Sequence, residues 1–292
     1  MNAASNDLGE SSDSDSPSSA SPIRVCHVVG WIEQSVPRRL AEDWDNVGLL
    51  VGRRSAIVRG VTTCLTLTPD VVDEVIRQGD SMVIAHHPLP FRPMAKITDD
   101  DPTGQICLRL IESSIAVYSP HTAWDSAAEG INATWARRLD VDASPLIPDH
   151  VDESVGGGRI GVLKSACDLD TLCRRIASVI PHTRLRVVRP CSGTTRQQSN
   201  PAVKKVVIAC GSGGSFVGKA IGAGADAIIT GEATYHQCLE AKFAGLAMVM
   251  VGHFASEKFA MGVLAKRLSE QFAGLRITDS TAECDPVSDA GF

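Results

Sequence analysis

Apolar and polar positions alternate along this chain with two different periods. Ile23 to Leu40 carries apolar residues at helical spacing, and Ala41 to Gly52 then breaks into a polar, glycine-containing turn. Val58 to Leu67 is rich in β-branched and apolar residues, which predicts a strand. Thr68-Pro69-Asp70 supplies a cap and a first-turn proline for a helix over Val71 to Gln78. Ser81 to Ala85 predicts a short buried strand ending at His86-His87-Pro88, Gly104 to Ser113 a helix, and Ile115 to Tyr118 another strand. Strands alternating with helices imply a largely parallel sheet.

The stretch from Asp140 to Pro201 is less regular. Gly156-Gly157-Gly158 and Cys191 to Asn200 read as loops, with a helix over Asp168 to Val179 between them. The alternation resumes with a strand at Val203 to Ala209, a turn through Gly211-Ser212-Gly213-Gly214, a helix over Phe216 to Gly222, and strands at Ala227 to Thr230 and Leu246 to Val251. These two regular stretches repeat each other. Gly79-Asp80-Ser81-Met82-Val83-Ile84 precedes His86 as Gly224-Ala225-Asp226-Ala227-Ile228-Ile229 precedes Gly231-Glu232. Further on, His121 and Asp125 follow one strand as His253 and Glu257 follow another, so each half ends in H-x-x-x-[DE]. The expected fold class is therefore α/β, with two similar interlinked lobes from an internal duplication and a metal cleft between them. Residues 22–140 form the first lobe, 141–202 an irregular connection and 203–279 the second lobe. A disordered Ser-rich tail over 1–21 and a C-terminal tail over 280–292 flank them.

Composition narrows the function classes. With 292 residues and 43% hydrophobic content, the chain buries a core without staples. Nine cysteines without a C-x-x-C pair read as reduced core residues in the cytoplasm, which argues against both a disulfide framework and a thiolate zinc site. The acidic, Ser-rich start lacks the apolar stretch of a secretory signal. No apolar run reaches the roughly 18 residues of a membrane span. A formal net charge of −6 with no basic run leaves no strong footprint for nucleic acid, so a small-molecule substrate fits better.

His86 and His87 carry the strongest local signal, because a strand that is ending at Pro88 lets adjacent imidazoles converge at its carboxyl edge, where ligands of open α/β sheets gather. His253 and Glu257, four apart, share one helical face, and Asp125 adds a second carboxylate. Three imidazoles and two carboxylates suit Zn, Fe, Mn, Co or Ni. Five ligands exceed the needs of one tetrahedral ion. Two divalent ions roughly 3.5 to 4 Å apart are the economical reading, with Glu257 between them and water activated for hydrolysis. His121 and His236 fall beside these positions and are expected to orient substrate or shuttle protons. Gly213, Gly218 and Lys219 imitate a phosphate-binding loop, but Ala220 stands where that motif needs Ser or Thr for magnesium. Those glycines are expected to let the strand turn tightly into its helix.

Six short motifs in order resemble the dinuclear-metal family of type 2 homologues of GTP cyclohydrolase I, also called the NGG-one-interacting-factor-like proteins. They are Trp44-Asp45-Asn46-Val47-Gly48-Leu49, Ala85-His86-His87-Pro88-Leu89, His121-Thr122-Ala123-Trp124-Asp125, Gly158-Arg159-Ile160-Gly161, Thr230-Gly231-Glu232 with His236, and Gly252-His253-Phe254-Ala255-Ser256-Glu257. The resemblance covers Ile23 to Ser269 and implies His86, His87, Asp125, His253 and Glu257 as metal ligands. It also implies a two-lobed monomer and a ring-shaped homohexamer, with this chain in the short form. Two positions depart from the family pattern. Thr66 stands where an acidic residue is usual, which changes how that strand end is supported, and Ala123 replaces an asparagine. The leading expectation is a metal-dependent hydrolase of a nucleotide-like molecule, of GTP cyclohydrolase type by the family name. The competing expectation is a metal-binding regulatory or adaptor protein without turnover.

Overall fold

The computed structural model describes residues 21–180, 184–192, 197–198 and 200–288. The expected N-terminal tail lies outside them apart from Ser21, as does part of the Cys191 to Asn200 loop. The first half of the chain runs α1 (Val25–Ser35), β1 (Gly48–Val51), β2 (Gly60–Cys64), α2 (Pro69–Gln78), β3 (Met82–Ala85), α3 (Pro102–Glu112), β4 (Ala116–Ser119), α4 (His121–Ser126) and α5 (Ile131–Arg138). The Thr68 side chain caps α2 by accepting from the Val71 N–H, and Gly79 ends that helix in the left-handed conformation. The elements expected here are observed, α4 and α5 are additional to them, and β1 occupies the segment expected to be a turn. It is four residues long, and its pairing antiparallel to β4, not its own pattern, makes it a strand.

The second half runs β5 (Val141–Pro148), β6 (Gly156–Asp168), α6 (Leu169–Val179), β7 (Arg186–Val188), the two-residue β8 (Cys191–Ser192) and β9 (Gln197–Gln198), β10 (Ala202–Ala209), α7 (Val217–Gly222), β11 (Ala227–Thr230), α8 (Tyr235–Ala244), β12 (Ala247–Met250), α9 (His253–Gln271) and β13 (Arg276–Asp279). The segment expected to be an irregular connection is instead largely sheet. β5 and β6 form an antiparallel pair, and β6 continues onto β10. Glycines disguised it: Gly156 takes a φ of +142°, and a Cβ there would lie 2.1 Å from the Ile147 carbonyl oxygen. Glycine is required there by the close approach of two strands.

Two sheets result, in the orders β1-β4-β3-β2-β13 and β5-β6-β10-β11-β12-β7. Strands β2, β3 and β4 pair in parallel, as do β10, β11 and β12, and each set ends against an antiparallel edge strand, β1 or β7. The architecture is α/β with a repeated unit. Both faces of the central strands are covered, which is why they read as continuous apolar runs. Val61, Ile84 and Tyr118 turn inward to a cluster shared with Val206, Ile229 and Val249 of the other sheet. Val83 and Val117 turn outward to α2 and α3, and Ile228 and Met248 to α7 and α8.

The halves exchange elements. Helix α5 packs on β5, β6 and β10, whereas α9 crosses to lie on β2 and β13. β13, which the sequence reading grouped with the second lobe, pairs with β2 in the first sheet. Beyond it, Ser280 to Glu283 do not trail off as a tail but bond to β2 and α2. Among the described residues no helix is long and apolar enough to cross a membrane. Trp135 on α5 is 1% exposed and donates its indole N–H to the Ser256 carbonyl at 2.8 Å, bolting α5 to the first turn of α9. Trp135→Ala is expected to lower the unfolding free energy by about 3–5 kcal/mol in denaturant titrations. A loss below about 1 kcal/mol would mean that this bolt bears little.

Candidate metal centre

The site forms where parallel strands of both sheets end. The His86 and His87 amides extend the ladder past β3 by donating to the Cys64 and Leu65 carbonyls at 2.9 and 2.8 Å, before Pro88 stops it. At the end of β4, His121 opens α4 with a φ of +25°, which L-residues rarely adopt. Asp45 holds that conformation: Oδ1 lies 2.7 Å from His121 Nδ1, and Oδ2 accepts the Thr122 N–H at 3.1 Å. One turn on is Asp125. From the second sheet, His253 and Glu257 occupy the first turns of α9, directly after β12. At Gly211, just beyond β10, the φ is +58° and a Cβ would sit 2.2 Å from Glu257 Oε1, so only glycine leaves room for the carboxylate.

Ligand atoms from both halves meet. Glu257 Oε2 lies 3.1 Å from His253 Nε2, 3.2 Å from His87 Nε2 and 3.8 Å from His86 Nε2. His86 Nε2 is 3.7 Å from Asp125 Oδ1. Three triads place their ligand atoms within 4.8 Å of one another: His86, His87 and His121; His87, His253 and Glu257; His86, Asp125 and Glu257. Donors each about 2.0–2.2 Å from a shared tetrahedral ion lie about 3.5 Å apart, so the 3.7 and 3.8 Å separations around His86 suit an ion better than direct hydrogen bonding. His86 makes the point sharply. Its ring is buried, and neither ring nitrogen has a hydrogen-bond partner among the described residues. A polar group left so costs about 1–3 kcal/mol unless something else satisfies it. The residues present fit a divalent metal.

Electrostatics agree. Burial pushes the His86 pKa well below the usual imidazole value, so the neutral ring offers a lone pair on one nitrogen. Burial and the nearby Glu257 charge push Asp125 up to about 7. Hydrogen bonding to Glu257 raises His253 to about 9 against the opposing effect of burial. Burial pushes the Glu257 carboxyl up, yet the His86 imidazole and hydrogen bonds from His253 and His87 bring it below the ordinary carboxylate range. Neutral His86 beside His87, His253 and two carboxylates forms a donor set that a divalent cation neutralises, with the His253 proton released as the metal binds.

An outer set of groups aims the rings. Glu232 Oε1 lies 3.0 Å from His253 Nδ1, Thr66 Oγ1 lies 2.7 Å from His87 Nδ1, and Asp45 holds His121. A carboxylate on Nδ1 keeps the proton there and leaves Nε2 free to donate its lone pair. The His87 and His253 Nε2 atoms face each other 3.3 Å apart. The Cys210 thiol, its pKa raised by burial, donates to Asp125 Oδ1 at 3.3 Å. Asn132 accepts the Cys210 N–H at 2.8 Å and donates to the Asp125 carbonyl at 3.1 Å.

Six of the seven residues singled out in the sequence thus meet, with His121 closer in than expected. His236 does not join them. Thr234 caps α8, which puts His236 on an exposed first turn against Tyr235 and away from the described residues that line the cavity. Asp45, Glu232 and Thr66 lie inside or beside the sequence motifs, but nothing in the sequence names their partners. Cys210 was expected to be a core residue, yet of the free cysteines only Cys64 and Cys107 are buried. The centre opens into a cavity of about 700 Å³, lined also by Trp44, Phe91, Ser212, Phe216 and Lys219.

Residues 23–286 match the sequence model of the family described as Duf34/NIF3 (NGG1p interacting factor 3). The chain belongs to the Duf34/NIF3 family. A Clostridium acetobutylicum member named GTP cyclohydrolase 1 type 2 homolog is 33% identical over 248 residues, 84% of this chain and 90% of that one. NIF3-like protein 1 of Drosophila melanogaster is 30% identical over 257 residues, 85% and 84% of the two chains. A Bacillus cereus protein related to NIF3 shares the fold, with a TM-score of 0.82 at 22% identity, covering 92% of this chain and all of that one. So does a Staphylococcus aureus protein, with a TM-score of 0.81 at 24% identity over 92% and 99% of the chains. Within this NIF3-family chain, Glu232→Gln is expected to weaken metal affinity by about 10–100-fold, because the amide no longer fixes the His253 ring. Competition against a chromogenic chelator measures this, and an unchanged affinity would show that Glu232 does not orient His253.

Proposed function

We propose that the protein is a hydrolase that holds two divalent metal ions and acts on a nucleotide-like small molecule. The observation that carries the reading is the position of Glu257, which belongs to two of the three triads and brings Oε2 within 3.8 Å of three imidazoles. His87, His253 and Glu257 would hold one ion, and His86, Asp125 and Glu257 the other. Bound there, divalent ions supply Lewis acidity and bring the pKa of water down to about 7.

The remaining work belongs to side chains. Asp45 and Glu232 keep the His121 and His253 rings in one orientation, which spares the reaction the cost of arranging them. His121, its Nδ1 engaged by Asp45, retains Nε2 for a hydrogen bond to substrate. Trp44 and Phe91 flank His121, with ring centroids about 6 Å away, and offer flat apolar surface to a planar ring. Lys219 adds a cation for an anionic group of the substrate. The cavity has the volume usual for small-molecule sites. The name of the clostridial relative makes hydrolytic ring opening of GTP the first reaction to try. The reading extends to a cytoplasmic homohexamer, which sedimentation of the purified chain would measure.

Elemental analysis is expected to give about two ions per chain. A nucleotide panel led by GTP is expected to show hydrolysis that disappears with chelator and in His253→Ala. Trp44→Ala is expected to raise KM about tenfold with a smaller change in kcat, in line with about 1–3 kcal/mol for stacking a base. Turnover that survives complete chelation would overturn the metal mechanism. Two bound ions without turnover on any nucleotide would overturn the hydrolase reading in favour of a regulatory or adaptor role.

A further inference from the structure

We propose that Glu283 is a positioning residue for the metal centre, gripping the segment after β2 that supports His87 and the helix that carries Glu257; the inference rests on the metal-binding reading above. The Glu283 side chain is 2% exposed, and both carboxylate oxygens are engaged. Oε1 accepts the Thr66 N–H at 2.7 Å and Oε2 accepts the Leu65 N–H at 2.9 Å, while Lys258 Nζ lies 2.9 Å from Oε2. Hydrogen bonds to an ionised carboxylate are roughly twice as strong as neutral ones.

Each arm leads to a ligand. On one, the Thr66 hydroxyl meets His87 Nδ1 at 2.7 Å, and the Leu65 carbonyl accepts the His87 N–H at 2.8 Å. The other arm runs through Lys258, which follows Glu257 on α9. Its ammonium is held by Glu283, by Asp279 at 2.7 Å and by the Ser280 carbonyl at 3.1 Å. The segment carrying Glu283 is itself fixed. The Ser280 N–H donates to the Thr63 carbonyl at 2.8 Å, and Thr281 donates to Glu74 from its N–H and its hydroxyl at 3.2 and 2.9 Å.

Glu283 is not among the described residues lining the cavity, so it acts through others. The end of β2 and the first turns of α9 come from different halves of the chain. One carboxylate bonded to both sets their spacing, which determines whether His87 and Glu257 stand at ligand distance. A glutamine keeps the shape but turns one acceptor into a donor facing an N–H or the Lys258 ammonium.

The test loads wild type, Glu283→Gln, Thr66→Val and the double variant with cobalt(II), reading visible absorption and affinity by chelator competition. Far-UV circular dichroism confirms folding. Glu283→Gln is expected to weaken cobalt affinity by about 10–100-fold and to alter the visible bands. Thr66→Val, which removes only the hydroxyl against His87, is expected to alter the bands in the same sense. Because both act on His87 along one path, the double variant should bind more tightly than the product of the two single losses predicts. Folded variants with wild-type affinity and spectrum would overturn the proposal. Should Glu283→Gln not fold, Thr66→Val decides alone, and a wild-type spectrum there is fatal. If wild type takes up no cobalt, the metal reading fails and this proposal with it, an outcome distinct from bound cobalt that the variants leave undisturbed.

Discussion

Burial of the Glu257 carboxylate against imidazoles from the opposite half of the chain is the constraint to which the rest of the fold answers. A carboxylate taken out of water is costly unless charge and hydrogen bonds compensate it. Here the compensation comes from His86 and His87 at the end of β3, while Glu257 itself rides on α9. That pairing requires α9 to leave the second sheet and lie across the first. The buried Trp135 and Asn132, both on α5, lock the crossing by bonding to Ser256 and Cys210.

The duplication is used asymmetrically. In both halves a strand ends and an H-x-x-x-[DE] turn begins a helix, yet His121 opens a helix of 6 residues and His253 one of 19. After the middle strand of each unit, one half has two histidines aimed at the centre. The other has Gly231 and Glu232, and Glu232 turns its carboxylate to the far side of the His253 ring. At this one position the repeated scaffold supplies ligands from one copy and a ring-orienting group from the other. This yields a centre with distinct positions, open on one side to a cavity edged by aromatic rings and Lys219.

Much of this was legible beforehand because the signals are local. The cap at Thr68, the apolar strand runs and the repeated H-x-x-x-[DE] spacing depend on residues within a few positions of one another. They located β2 through β4, β10 through β12 and six of the residues that meet at the centre. β1 and the β5–β6 pair escaped because their strand character comes from partners far along the chain, and because Gly156 looks like a loop residue until the Ile147 carbonyl is found against it. His236 was misplaced because proximity to a motif says nothing about which face of α8 a side chain takes.

The sequence alone determined five of the six side chains that the structure groups as able to hold a metal, and that they follow strand ends, since hydrophobic period and residue chemistry are properties of short segments. Only the tertiary structure decided that His87 and Glu257, 170 positions apart, come within 3.2 Å, that Asp45, Thr66 and Glu232 aim the rings, and that β13 and Glu283 return to the first sheet. Those contacts arise from burying the inner faces of two sheets in one core, and no local pattern encodes the distance between segments that only packing brings together.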